Sequence, residues 1–119
     1  MSDAKYLFIY RQPADARDDE LSPAEMAEML AQWSAWKARF DEEIVDLGDG
    51  LKPQGRQVRA GAGGEIVVTD GAFVEAKEVL GGYSIVQAAS LERAVEISRG
   101  CPVLRFPGSW IEVRELAGF

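Results

Sequence analysis

The sequence predicts an α+β sandwich, with two helices laid on one face of a sheet. Three observations carry this reading. Short β-rich apolar stretches outnumber helical ones, a single long amphipathic helix opens on a strong cap, and a short second helix lies between the last two strands. A length of 119 residues with 47% hydrophobic and 9% aromatic residues supports one core, so residues 1–119 are expected to form one domain.

The first strand is "KYLFIY", residues 5–10. Tyr6, Phe8 and Tyr10 alternate with Leu7 and Ile9, so both of its faces are apolar and both call for cover. The acidic, aperiodic "RQPADARDDEL" then leads into "SPAEMAEMLAQWSAWKARFDEEIVDLGDG". Ser22 suits an N-cap, Pro23 the first helical position, Glu25 completes a capping box, and Gly48 suits a helix stop. Met26, Leu30, Trp33, Lys37, Phe40, Ile44 and Leu47 keep helical spacing, with Met29 and Trp36 flanking the stripe. On this pattern Trp33 is core, and Trp36, at the stripe's edge, is the candidate for a pocket or dimer contact.

"LKPQGRQVRA" and "EIVVTD" read as strands joined by the hairpin connection "GAGG", and "GYSIVQAAS" as a further strand. In "SLERAVEISRGCP", Ser90 caps a short helix with Leu91, Ala94, Val95 and Ile97 inward, and Gly100 and Pro102 end it. "SWIEVREL" is the closing strand. The order β-α-β-β-(β)-α-β is that of a ferredoxin-like split βαβ sandwich.

Two helices cover one face of such a sheet, so burial of the doubly apolar first strand asks for a second copy packed sheet against sheet, a homodimer. If the aliphatic parity of each strand faces the helices, Tyr6, Tyr10, Arg59, Glu112 and Arg114 line the opposite, partner-facing side. Aromatic rings with a few charges in a concave space suit a small-molecule site, which makes Tyr10 and Arg59 candidate ligand-binding residues; solvated or interfacial ion pairs are the alternative.

Charge and composition exclude several functions. A formal net charge of -7, from 20 acidic and 13 basic residues, repels phosphate backbones and anionic membranes. The chain has no histidine, which excludes Ser-His-Asp, Cys-His and His-bearing zinc sites within one chain. One cysteine, Cys101, makes no intrachain disulfide, and neither a signal peptide nor a membrane-length apolar run is present, so a soluble cytoplasmic protein is expected. Cys101 follows a helix C-terminus, where the dipole does not favour a thiolate.

"GAGGEI" lies between two strands and has the wrong glycine spacing for a phosphate loop, so it is read as a turn. "DARDDE" lacks the calcium-loop pattern, and no metal or cofactor is assigned. The remaining constellation is "TDGAFVEAKEVLGGY", residues 69–83. Asp70 before Gly71 suits either a general base, if buried, or an Asx-type turn. Glu75, Lys77 and Glu78 offer a carboxylate, an anion anchor and a second acid or base, or else a solvated loop. Gly81 and Gly82 suggest a close backbone approach or a bulge beside Tyr83.

"VTDGAFVEAKEVLGGYSIVQAASLERAVEISRGCP" followed by "IEVREL" resembles the YCII-related family, and within it the DGPF subgroup, with Ala72 where that subgroup has proline. The resemblance implies a ferredoxin-like fold that dimerises through its sheets, with a site near the motif in a cleft against the partner. It marks Asp70 and Glu75 as catalytic candidates and Gly71, Phe73, Lys77, Glu78, Gly82 and Tyr83 as ligand-binding ones. The family's suspected His-Asp chemistry does not transfer to a chain without histidine. Two functions follow as expectations: binding of a small polar organic molecule with acid/base catalysis, or a non-catalytic accessory role with a protein partner such as an alternative sigma factor system.

Overall fold

The computed structural model describes residues 3–13, 21–52, 54–70 and 78–119, and of residues 78 and 79 the backbone alone. Strand β1 (Ala4–Pro13) is followed by α1 (Pro23–Arg39), β2 (Ile44–Gly50), β3 (Arg56–Ala60), β4 (Ile66–Asp70), β5 (Glu78–Ala88), α2 (Leu91–Ser98), a 3-10 turn (Pro102–Arg105) and β6 (Trp110–Glu115). The main sheet has the order β2-β5-β1-β6 with every pairing antiparallel, and β3 and β4 form a separate two-stranded hairpin. Setting the hairpin aside leaves β-α-β-β-α-β in the strand order of a ferredoxin-like sandwich.

Helix α1 begins as its capping box dictates. The Glu25 N–H donates to Ser22 Oγ and the Ser22 N–H to Glu25 Oε1, both at 3.1 Å. Its end differs from the sequence reading. The helix stops at Phe40, and Ile44–Gly50, expected to continue the stripe, forms edge strand β2. The β-branched pair Ile44-Val45 suits a strand, and Gly48 at φ 75° could not continue a right-handed helix.

The inward face of α1 also differs. Trp36 is 3% exposed, packs at 6.4 Å from Phe8 and donates its indole N–H to the Ile97 carbonyl at 3.0 Å. Trp33 is half-buried over Tyr10 at 5.8 Å, while Met26 and Leu30 are exposed. In α2, capped by Ser90, Ala94 and Ile97 face inward as expected, but Leu91 is exposed.

The core lies between the sheet and the helices: Tyr6, Phe8 and Tyr10 of β1, Val86 and Ala88 of β5, and Ile44, Trp36, Phe40, Ala94 and Ile97 around them. The sequence expectation that Tyr6 and Tyr10 face away from the helices is therefore corrected. Large rings fill the space under the tryptophans, opposite small residues on the same face of β5, Gly82 and Ser84. No described helix is long and apolar enough to cross a membrane.

Candidate functional site

With the even residues of β1 under the helices, the odd ones define the other face of the sheet. Strand register places Lys5, Leu7, Ile9 and Arg11 of β1 beside Gln87, Ile85 and Tyr83 of β5, and beside Arg114, Glu112 and Trp110 of β6. Asp46 and Asp49 of β2 lie opposite Ile85 and Tyr83. No described helix covers this face. Leu7, Ile9, Tyr83 and Ile85 are nevertheless only half-exposed, because neighbouring side chains on the pleat shield one another.

Three local features shape the upper end of this face. Pairing shifts between Tyr10 and Arg11, with Tyr10 opposite Gly82 and Arg11 opposite Leu80, so Gly81 is the extra residue of a bulge. A Cβ on Gly82 would lie 2.7 Å from the Asp49 carbonyl oxygen, so the glycine permits the close approach of β2 that the sequence suggested. Gly48 is tighter still, because a Cβ there would meet the Tyr83 carbonyl oxygen at 1.8 Å. The two glycines let β2 close against the strand segment that carries Tyr83.

Arg11 and Glu112 form an ion pair at 3.3 Å across β1 and β6, and Arg114 lies 3.6 Å from the same carboxylate. Glu112 and Arg114 face the open side as expected, but their neighbours there are Ile9 and Leu7, not Tyr10 and Tyr6.

On the helix side, Tyr10 donates to Ser84 Oγ at 2.5 Å, and Ser84 donates to the Leu47 carbonyl at 2.5 Å. Cys101 is buried in the same core cluster as Tyr10. Burial pushes the Cys101 thiol up to about 11 and raises Tyr10 as well. This buried chain is fully bonded, leaving no buried side-chain polar atom unpartnered among the described residues. Its groups fix β1, β5 and β2 together and do not reach the open face.

The other candidates divide as follows. Tyr83 stands on the open face of β5, beside Ile9, while Gly82, opposite Tyr10, lies on the helix side. Glu78 pairs through its backbone with Pro13. Asp70 ends β4 with its side chain 93% exposed and 3.5 Å from the Arg56 guanidinium, so no described element supplies the burial a general base requires. Arg59 lies on the hairpin and donates to Gln57 Oε1 at 2.6 Å, away from the sheet face on which sequence parity put it. Gly71, Phe73, Glu75 and Lys77 lie outside the described residues.

Sequence reasoning missed Arg11, Asp46 and Asp49 on this face. A signal for Arg11 existed, since it continues the Leu7–Ile9 alternation; the aspartates were hidden by the helical reading of residues 44–47. Two shallow grooves of about 280 and about 520 Å³ lie on the helical layer, lined by Trp36, Arg39 and Gly100 in one and Leu91, Val95 and Arg99 in the other. Neither is lined by a motif residue. Among the described residues no three acidic or thiol side chains come together as a metal site.

Fold and face together define an α+β sandwich with one helical side and one open, polar-flanked apolar side. The YCII-related domain model matches residues 6–117, nearly the whole chain, and the protein belongs to the YCII-related family. No curated protein matches the sequence.

Proposed function

We propose that the protein acts as a homodimer packed sheet against sheet, and that it binds a small polar organic molecule between the two faces, beside Tyr83 and the segment after Asp70. One observation carries this. The half-buried patch of Leu7, Ile9, Tyr83 and Ile85, flanked by Arg11 and Glu112, lies on a face that no described helix covers, and neither groove on the helical layer takes in a motif residue. A partner sheet about 10 Å away would turn that face into an enclosed space with aromatic and charged walls. Asp70 or Glu75 would supply proton transfer once a ligand or partner removes it from water. The Asp70-Gly71-Ala72-Phe73 sequence supports reading the chain as a member of the DGPF subgroup.

The test is a thermal-shift screen of small organic metabolites on the purified protein, with light scattering alongside. A dimer at micromolar concentration and a ligand that raises Tm are expected. At a hundredfold excess over Kd the ligand would add about 2.7 kcal/mol of stability. Tyr83→Ala should weaken that ligand about tenfold, and Asp70→Asn should leave folding intact while abolishing binding or turnover. A concentration-independent monomer that no metabolite stabilises overturns the reading.

A second reading has its own observation. One face of the hairpin presents Val58 at 66%, Ile66 at 67% and Val68 at 55% exposure, with no described element packed on it. An accessory protein would offer such a surface to a protein partner. Pull-down of a partner, lost on Val68→Asp, would favour this reading over ligand binding.

A further inference from the structure

Four strands stand at sheet edges among the described residues: β2 and β6 of the main sheet, and β3 and β4 of the hairpin, which has no third strand. An edge strand presents unpaired N–H and C=O groups, and folded proteins ordinarily guard it with charge, proline or irregular pairing. Three of these edges are guarded. Strand β2 carries Asp46 and Asp49 and pairs irregularly, β6 carries Glu112, Arg114 and Glu115, and β3 carries Arg56 and Arg59. Strand β4 is not, because Ile66-Val67-Val68-Thr69 runs without charge, proline or bulge.

The outward groups of β4 follow from its register. The Gly61 N–H donates to the Glu65 carbonyl at 2.7 Å, and the ladder alternates from that pair. Val67 and Thr69 therefore bond inward to Arg59 and Gln57, while Ile66, Val68 and Asp70 turn their N–H and C=O groups outward. The side chains beside those groups include Ile66 at 67% and Val68 at 55% exposure. Every residue of β4 is exposed, and the radius of gyration of the chain is 16.6 Å, against about 13.5 Å for a compact chain of this length. A two-stranded ribbon standing off the core is marginal in water, and a third strand would stabilise it.

We propose that β4 is a site of strand addition, and that it takes an extended segment of another protein with a β-branched middle and Lys or Arg at its ends. The inference rests on the accessory-protein reading of the hairpin, to which it adds the edge, the bonding and the charge of the partner. Charge selects the occupant. Glu65 and Asp70 bound the apolar run, and the Asp70 side chain stays 93% exposed beside Arg56. The hairpin cations Arg56 and Arg59 belong to the other strand, and the formal net charge of -7 steers basic segments toward the protein. A second copy of this chain is disfavoured, because antiparallel pairing of β4 with itself in full register sets Glu65 against Asp70 at both ends. Main-chain bonds supply the affinity of such an addition, and the flanking charges its selectivity.

The probe is the synthetic peptide Lys-Val-Thr-Val-Thr-Val-Lys, titrated into the full chain and followed by amide NMR. The amides of Ile66, Val68 and Asp70 should shift and gain protection from exchange, while those of Val67 and Thr69, already bonded to β3, keep theirs. Replacing both lysines by glutamate should weaken the peptide at least tenfold. Methylating every backbone nitrogen of the peptide should abolish binding although side chains and charges are kept. On the protein side, Val68→Pro removes one outward N–H and should weaken the peptide at least tenfold, whereas Ala60→Pro, on the β3 edge, should leave it unchanged. The methylated peptide asks the same question of the unaltered protein, so a misfolded proline variant does not decide the matter. Binding of the methylated peptide, an effect of Ala60→Pro in place of Val68→Pro, or no binding of any peptide overturns strand addition. A change in the sedimentation of the protein itself on Val68→Pro makes the occupant a second copy, and overturns it too. If a partner is still pulled down and lost on Val68→Asp, the accessory reading survives that failure; with no partner and no peptide, both fall.

Discussion

Gly48 shows how much of this fold one residue can decide. Its φ of 75° and the 1.8 Å approach of the Tyr83 carbonyl make any side chain there both strained and obstructed by backbone. Gly48→Ala should cost more than about 3 kcal/mol or abolish folding. Gly64, at φ 90° but with open space around it, is the control, and Gly64→Ala should cost about 1 kcal/mol by urea titration. Cys101 gives a pH signature. Its folded value is raised from 9.0 to about 11, so between those values the unfolded chain loses a proton that the native one keeps. Stability is then full below about pH 9 and falls as pH rises toward 11, by up to about 2 kcal/mol. Urea midpoints at pH 8 and 10 should show the decline, and Cys101→Ala should flatten it. Buried Tyr10, also raised, continues the decline at higher pH.

At the scale of elements, what could be read in advance was local chemistry. The Ser22–Glu25 capping box was legible because it depends on four consecutive residues, and Ser22→Ala should lower stability by about 1 kcal/mol in thermal or urea unfolding. The end of α1 was not legible. Ile44 and Leu47 keep helical spacing from Phe40 by coincidence, and Asp41-Glu42-Glu43 contains neither glycine nor proline to mark the break. What ends the helix is tertiary: β2 pairs with β5, and Glu43 is drawn to α2. Arg93 holds Glu43 through two bonds of 2.7 and 2.8 Å, also pairs with Glu96, and lies over the Phe40 ring. The Arg93 bonds keep the Glu43 carboxyl below its usual range. The stability this pair contributes is present above about pH 4.3, the unfolded value, and is lost as pH falls through the lower folded value. Glu43→Gln should remove that part of the acid dependence and cost about 1 kcal/mol near neutrality.

Over the whole molecule, the fold class was legible and the division of the sheet was not. The doubly apolar β1 announced two covered faces, yet alternation alone could not say which parity met the helices. Ser84 and Gly82 decide it, because small residues on β5 leave room for the rings of Tyr10 and Phe8 on the same face. For the same reason Tyr10 moved from the proposed cleft into the core, while Tyr83 stayed with the open face. Hairpin membership in the main sheet was likewise invisible to a strand count. The hairpin carries its own ladder and an exposed apolar face, so its amides should exchange with deuterium much faster than those of β1 and β5, and ligand or partner binding at the hairpin should slow them.

The placement of that hairpin also bears on how the chain reaches its native state. β2 and β5 are neighbours in the sheet, yet the whole of β3 and β4 lies between Gly50 and its partner Gly82. Bringing those two strands together closes a long loop, and the entropy of closure grows with its length. Pairing of β3 with β4 across a short turn is a microsecond event that draws the two ends of the loop toward each other. The inserted hairpin thus acts as a temporary clasp, making a distant strand pairing behave, kinetically, as a nearer one.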